Sequence, residues 1–393
     1  MSYYILPKNN NNLIVNPQSN IDDCKLYSSY SLYNFYNVIQ KQITDIFSND
    51  SDLSINYEEL IKIVNPYEYV FFKVPGSKFS VSKLKPKSSE FYDLLEIIMT
   101  LNIFEPYNDK SIKSLHISSN SKDLTDCIEM LRENYVNDIM YNFNTISNIQ
   151  MSEISDIKFD FMFFNDYYHN TQSYIIRLIE FIMSILRYQC IGGTSIIKID
   201  HIFHKPIIDL LYLMTSLFEK VYIIKPNTSN VTTFEKYIVA KNFNLCNQTK
   251  TEIYKSNYNK LNHFIKNIDN KNIVSIIDME TPSYFINKID DINVILGQQQ
   301  LESLNQIINI LKNKNKEERI ENIKKSSIQK AVSWCEKFNI PCNKFSEKTN
   351  IFLPIIKEFM DKEDVQMSDA NIVITLENSI IKDEDVEIDV EDI

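Results

Sequence analysis

The sequence predicts an α/β protein, an open sheet with helices on both faces and helical additions at its N- and C-terminal ends. Three observations predict it. Between Phe159 and Phe243, short β-rich runs alternate with helix-length segments: FDFMFFND, TQSYIIRLIEFIMSILRYQC, IGGTSIIKID, KPIIDLLYLMTSLFEK, VYIIKPNTSN and VTTFEKYIVAKNF. FDFMFF and SIIKI are too short for helices, rich in aromatic or β-branched residues, and each ends in a polar residue, as buried parallel strands do. Between them Ile175, Ile176, Leu178, Ile179, Ile182, Met183, Ile185 and Leu186 recur at helical spacing, interrupted by Arg177, Glu180 and Arg187. This is a βαβαββ unit, and Gly192-Gly193 stops the helix's return just before the next strand.

The remaining elements follow in chain order. MSYYILPKNNNNLIVNPQSN lacks the charged, apolar and small-residue order of a signal peptide, and Asn9 to Asn12 mark a flexible arm. From about Ser28 to Val64 the spacing of Tyr30, Leu32, Phe35, Val38, Ile39, Ile43 and Ile46 predicts helices that cap the main domain. The stretch EYVFFKVPGSKFSVSKLKPKSSEFYDLLEIIMTLNIF interleaves Lys73, Lys78, Lys83, Lys85 and Lys87 with Phe71, Phe72 and Phe79. Lysines among aromatics hold phosphates and stack bases, and they equally suit a solvated hairpin with buried phenylalanines. SLHISSNSKDLTDCIEML predicts a strand over 114–118 and a helix from about Asp123, and Glu129 to Ser155 reads as helix, strand and loop. After Phe243 the pattern is helical, over 251–272 and within 286–341, with a basic stretch from Lys312 to Lys330 that is first of all a solvated face.

Length and composition bound the rest. At 393 residues, two or three domains are expected. Their boundaries fall at 1–65 for an arm and helical cap, 66–250 for the α/β domain, 251–360 for a helical region and 361–393 for an acidic tail. Net charge is −11, but from Asp361 onward twelve acidic residues face only Lys362 and Lys382, so the body before them is near neutral and leaves room for local basic patches. Six cysteines without a CxxC pair read as reduced thiols, and His201 and His204 lack the further ligands of a zinc site, so no metal is expected. No run of about 20 uncharged apolar residues spans a membrane. Abundant Asn, Ile, Lys and Tyr with scarce Gly, Trp and Ala indicate an AT-rich genome.

In open α/β sheets, ligands bind beyond the carboxyl ends of the strands, where Asp166 and Lys198 lie. The ordered series of strand-ND, helix, GGTSIIK, helix, FEKVYIIKP and TTFEKYIVAKNF resembles the second half of the FtsJ-like (RrmJ-type) ribose 2′-O-methyltransferases, including those of large DNA viruses. The resemblance covers about a fifth of the chain and rests on order rather than one motif. It implies a Rossmann-like S-adenosylmethionine (SAM) methyltransferase sheet and a Lys-Asp-Lys-Glu tetrad, of which Asp166, Lys198 and Glu235 match the last three. A ribose hydroxyl is a poor nucleophile until its proton is polarised or removed, so a lysine held by carboxylates beside a second cation fits the task. Each residue also has a plainer reading. Asp166 fits a helix cap, Lys198 a solvated strand end and Glu235 an edge strand.

Two departures stand out. The family's first tetrad lysine lies in a segment similar to S-R-x-x-Y-K-L-x-E, and SSEFYDLLE here puts Asp93 in its place; a carboxylate there raises the pKa of Lys198. The glycine-rich SAM loop D-L-G-x-x-P-G-G corresponds to Ser118, Ser119 and Asn120, with no glycine. The resemblance implies an RNA ribose 2′-O-methyltransferase using SAM, cap-adjacent on mRNA, with Lys83, Lys85 and Lys87 facing RNA. It implies a place in the host cytoplasm, or packaged in the virion, beside viral transcription or capping proteins. The alternatives are a catalytically degenerate RNA-binding or scaffold subunit, and a poly(A)-polymerase-type processivity partner.

Overall fold

The computed structural model describes residues 2–21, 25–49, 56–146, 157–245, 248–268, 271–312 and 316–343. Cys24, Cys246 and the acidic segment from Asp361 onward lie outside the described residues. The strands are β1 (Ser2–Ile5), β2 (Val15–Asn20), β3 (Lys113–Ser118), β4 (Ile139–Phe143), β5 (Phe159–Asn165), β6 (Gln189–Ile199), β7 (Phe218–Lys225), β8 (Lys236–Phe243) and β9 (Asn272–Ile277). The helices are α1 (Tyr30–Asn49), α2 (Tyr57–Val64), α3 (Glu90–Thr100), α4 (Ser121–Leu131), α5 (Thr171–Tyr188), α6 (Lys205–Leu217), α7 (Gln248–Lys266), α8 (Ser283–Lys312) and α9 (Lys316–Lys337).

Seven strands form one sheet in the order β1-β7-β8-β6-β5-β3-β4. The four from β4 to β6 are parallel, with α4 crossing from β3 to β4 and α5 from β5 to β6, while β8 inserts antiparallel between β6 and β7. The expected α/β sheet with helical additions is therefore present. Because side chains alternate along a strand, β5 divides its apolar residues between two cores. Met162 and Phe164 pack with α5 and α6, whereas Phe161 and Phe163 pack with α3, α4 and α9. A third, smaller cluster joins α1 and α2 to α8 and α9.

Local chemistry explains the boundaries. Asn170, not Asp166, caps α5: its side chain accepts from the Ser173 amide at 2.8 Å and the Ser173 hydroxyl accepts from the Asn170 amide at 3.0 Å. The helix runs straight into β6 at Gln189, so the glycine pair lies within the strand rather than before it. Gly192 has φ +80°, and a Cβ on Gly193 would collide with the Gln189 side chain, which is why the pair accompanies a register shift against β5.

The N-terminal residues are more firmly built in than an arm. β1 lengthens the main sheet by pairing with β7, Asn9 is buried, and Asn257 holds the next stretch by accepting from the Val15 amide at 3.1 Å and donating to the Leu13 carbonyl at 2.8 Å. β2 then pairs with β9, a strand in a region whose apolar spacing predicts only helix. The fully buried Asp209 secures β9 by accepting from the Ile276 amide at 2.9 Å and from Thr281 at 3.0 Å while pairing with Lys205 at 2.9 Å.

Candidate active site

The strand registers assemble the site. Lys198 pairs with Tyr237 and Ile199 with Lys236, so the residue before β8, Glu235, comes to the exit of β6. Its Oε1 lies 3.7 Å from Lys198 Nζ. Two lysines, Lys236 buried and Lys225 half-buried, fix the loop that carries it. Lys225 Nζ donates to the carbonyls of Asn230, Thr233 and Glu235 at 2.7, 2.9 and 2.7 Å, and Lys236 Nζ donates to those of Asp200 and Phe234 at 2.6 and 2.7 Å. Burial pulls these ammonium groups down to about 8 and about 7, respectively.

The opposite wall comes from α3. Glu90, Asp93 and Glu96 stand at three-residue intervals, which places three carboxylates in a row along one side of a buried helix. Glu90 Oε1 lies 3.5 Å from Lys198 Nζ and accepts from Asn165 Nδ2 at 2.7 Å. Asp93, fully enclosed, accepts from the hydroxyls of Thr228 at 2.6 Å and Tyr237 at 3.0 Å. Glu96 accepts from the Asn227 amide at 2.9 Å and from Trp334 Nε1 at 3.0 Å.

These carboxylates decide the state of the lysine. Burial alone pulls Lys198 down, but the charges of Glu90, Glu235 and Asp93 outweigh it and hold the ammonium above its ordinary pKa. The acids respond in turn. Burial raises Glu90, and it pushes Asp93 up to about 7.

Among the sequence-predicted residues, Lys198 and Glu235 meet, while Asp166 makes its contacts elsewhere. Its carboxylate accepts from the amides of Ile146 at 3.0 Å and Tyr167 at 2.8 Å and lies 3.8 Å from Arg177 Nε, holding the loop after β4. The reason is a one-residue offset. Positions 161, 163 and 165 share the α3 side of β5, so Asn165 reaches the lysine cluster. Glu90 and Asn165 were missed by looking for a carboxylate at the strand end; the three-residue spacing of acids in EFYDLLE is the signal that points to α3.

The cofactor residues lie where β3 ends beside β5, in the register Ser118 with Asn165. The end of β3 fits SAM poorly. Ser118 is buried and its hydroxyl accepts from the Asn120 amide at 3.1 Å. None of the chain's four glycines is there, so each residue of the turn carries a Cβ into the space beside the backbone. Beyond β4, Asn144, Thr145 and Ile146 offer no carboxylate to ribose hydroxyls.

Lys83 and Lys85 line a cavity of about 550 Å³ together with Lys73, Lys78, Phe71 and Phe79. Lys87 instead gives its backbone amide to Asp123 at 2.8 Å. His201 stacks on Phe203, and burial holds its pKa down at about 3. Among the described residues no helix is long and apolar enough to cross a membrane.

A mimivirus protein, an uncharacterized protein of Acanthamoeba polyphaga mimivirus, is 23% identical over 290 residues, 72% of this chain and 73% of that one. Among solved structures, a putative class I SAM-dependent methyltransferase from Listeria monocytogenes overlaps 56% of this chain and 90% of its own at 9% identity, with a TM-score of 0.27, too low to add to the reading. The model of the FtsJ-like methyltransferase family matches residues 84–243, from the lysine-rich stretch before α3 to the last residue of β8. Over those residues the chain is similar to the FtsJ-like methyltransferase family.

Proposed function

We propose that this chain is an RNA-binding protein on the FtsJ-like methyltransferase fold, whose lysine cluster holds a ribose without drawing off its hydroxyl proton. The observation that carries this reading is the ring of Glu90, Asp93 and Glu235 around Lys198. A general base needs a free lone pair near neutral pH, and an ammonium held above its ordinary pKa has none to offer. It remains a hydrogen-bond donor to a hydroxyl or phosphate oxygen. The end of β3, without glycine, supports the same reading. Lysines 73, 78, 83 and 85 around Phe71 and Phe79 supply the charge and stacking surface that RNA requires. In this reading the protein works beside viral transcription or capping proteins in the host cytoplasm, and the mimivirus relative supports only the viral setting.

A second reading, an active RNA ribose 2′-O-methyltransferase acting next to the mRNA cap, draws on the family match and on one observation. Asp93, titrating at about 7, stands close enough to Lys198 for its charge to be felt there and has the affinity of a proton acceptor at neutral pH. Calorimetric titration with SAM separates the two, with Lys198→Ala and Asp166→Ala alongside. The RNA-binding reading expects no heat from a folded protein that still retards RNA. Micromolar SAM binding followed by methyl transfer to RNA would replace it with the enzyme.

A further inference from the structure

The stretch from Phe71 to Pro86 carries Lys73, Lys78, Lys83 and Lys85 and no acidic residue. It turns at Gly76, whose φ of +80° favours glycine, and the Val74 amide closes the turn by donating to the Phe79 carbonyl at 2.9 Å. The four exposed lysines thereby gather with Phe71 and Phe79 around the cavity of about 550 Å³. Among the described residues no carboxylate lies within ion-pair distance of any of the four. Like charges around one hollow repel one another, so a negatively charged occupant is stabilised there. The ring of Phe79, 41% exposed, adds an apolar wall.

The chain itself supplies such an occupant. Ser82 and Cys342 form an antiparallel bridge, the Lys83 amide donates to the Pro341 carbonyl at 2.8 Å, and Asn343 Nδ2 donates to the Ser80 carbonyl at 3.0 Å. Asn343 itself lines the cavity, and fifty residues follow it. Their last eleven read DEDVEIDVEDI, in which Asp385, Glu387, Asp389 and Glu391 alternate with Val386, Ile388 and Val390. On an extended chain that alternation turns the four acids to one side, about 6.8 Å from one to the next, and the aliphatic side chains to the other. A single row of evenly spaced negative charges is also what a nucleic-acid strand would offer these lysines. The basic stretch of α9 is a poorer receiver, because Glu318 and Glu321 accompany its lysines, Glu321 one turn before Lys325.

We propose that residues 383–392 of the same chain dock in the lysine cavity, their carboxylates on the lysines and their aliphatic side chains against the phenylalanine rings. Because the segment is tethered, the contact is intramolecular and independent of protein concentration. Because it is ionic and at the surface, salt weakens it. Carboxylates seated there repel phosphates from the same lysines, which makes the segment a built-in competitor for RNA. The docking stands without the RNA-binding reading, and only this consequence rests on it.

Carbodiimide coupling of the full chain, which condenses a lysine amine with a carboxylate in contact with it, tests the docking when followed by peptide mass spectrometry. At low salt, monomeric protein should yield peptides joining Lys73, Lys78, Lys83 or Lys85 to the 383–393 segment, and the yield should fall at least about five-fold in about 1 M salt. Val386→Ser, Ile388→Ser and Val390→Ser, combined in the full chain, leave every carboxylate in place and should lower the yield about three-fold or more. No coupling to these four lysines, equal coupling to Lys324, Lys325 and Lys330, coupling only between two copies, or an unchanged yield in the serine variant each overturns the proposal. Retardation of single-stranded RNA is read alongside, and the serine variant should bind at least about three-fold more tightly than wild type at low salt. Coupling in the wild type with retardation by neither chain leaves the docked segment standing and removes the RNA-binding reading. Retardation without coupling removes the docking alone.

Discussion

Lys198 Nζ lies 3.5 Å from Glu90 Oε1, and a second carboxylate oxygen, from Glu235, lies 3.7 Å away. One ammonium thus joins a buried helix to the loop before β8. The pairing stabilises the charged lysine and partly offsets the cost of burying Glu90. Glu90→Gln should lower the pKa of Lys198, and Glu90→Gln with Glu235→Gln should lower it further, as read by NMR titration of labelled lysine side chains. No downward movement in either variant would show that the carboxylates do not govern the lysine.

The pH dependence of stability follows from Asp93 and Glu68, both pushed up to about 7 by burial. In the unfolded chain they titrate near about 4, so the native state keeps protons that the unfolded chain has released. Their contribution is full below about pH 4 and is lost as pH rises through about 7. His116 runs the other way. Burial holds it down at about 4, so its contribution is full above about 6.5 and is lost as pH falls through about 4. Asp93→Asn removes part of the first slope and leaves the second. Relative to wild type it should gain about 2 kcal/mol more at about pH 8 than at about pH 4.5. Urea unfolding at both pH values checks this, and equal effects at the two would exclude titration of Asp93 in that range.

Arg132 holds the segment between α4 and β4. Its Nε donates to Asp138 Oδ2 at 2.6 Å, and its terminal nitrogens reach Asp138 Oδ1 and the carbonyls of Tyr107 and Lys110. The guanidinium also packs over Tyr135, 4.1 Å from the ring centroid. A planar fork serves all of these partners, and a lysine cannot. Arg132→Met should cost about 3–5 kcal/mol in chemical denaturation, with Arg132→Lys recovering less than half. A loss below about 1 kcal/mol would mean that Asp138 finds another partner.

The α/β unit was legible because its signals are local. FDFMFF, SIIKI and the helix from Thr171 each carry their own period, whereas the glycine pair, read as a stop before the strand, lies within it. The partnership of Lys198 with Glu235 was legible through resemblance, and the registers of β6 and β8 give it a physical cause. The position of Glu90 was harder to read, because it depends on which side of α3 faces the sheet, a tertiary fact. Asn165 was passed over for Asp166 because chemistry was weighed before strand parity, and parity decides which side chain reaches the cluster. β9 escaped notice because Asn272–Ile277 lies between helices, and its strand partner, β2, is far away in sequence.

The last prediction concerns the lysine cavity. Val81 and Asn343 are joined by a backbone hydrogen bond of 2.8 Å, and Asn343 lines the cavity with Lys83 and Lys85, so the chain leaves the described fold at the rim of its basic surface. Each lysine that neutralises a phosphate of single-stranded RNA adds about 0.7 to the slope of log affinity against log salt. Lys83→Ala with Lys85→Ala should therefore flatten that slope by about 1.4 and weaken binding most at low salt. Lys87→Ala should change it less, since Lys87 lies outside the cavity lining. Removing 361–393, with its twelve carboxylates, should strengthen binding to RNA at low salt and leave it unchanged at high salt, because the repulsion it relieves is screened there. Filter binding across a salt series measures all three. If the lysine pair leaves the slope unchanged, RNA does not run through this cavity, whatever the tail does.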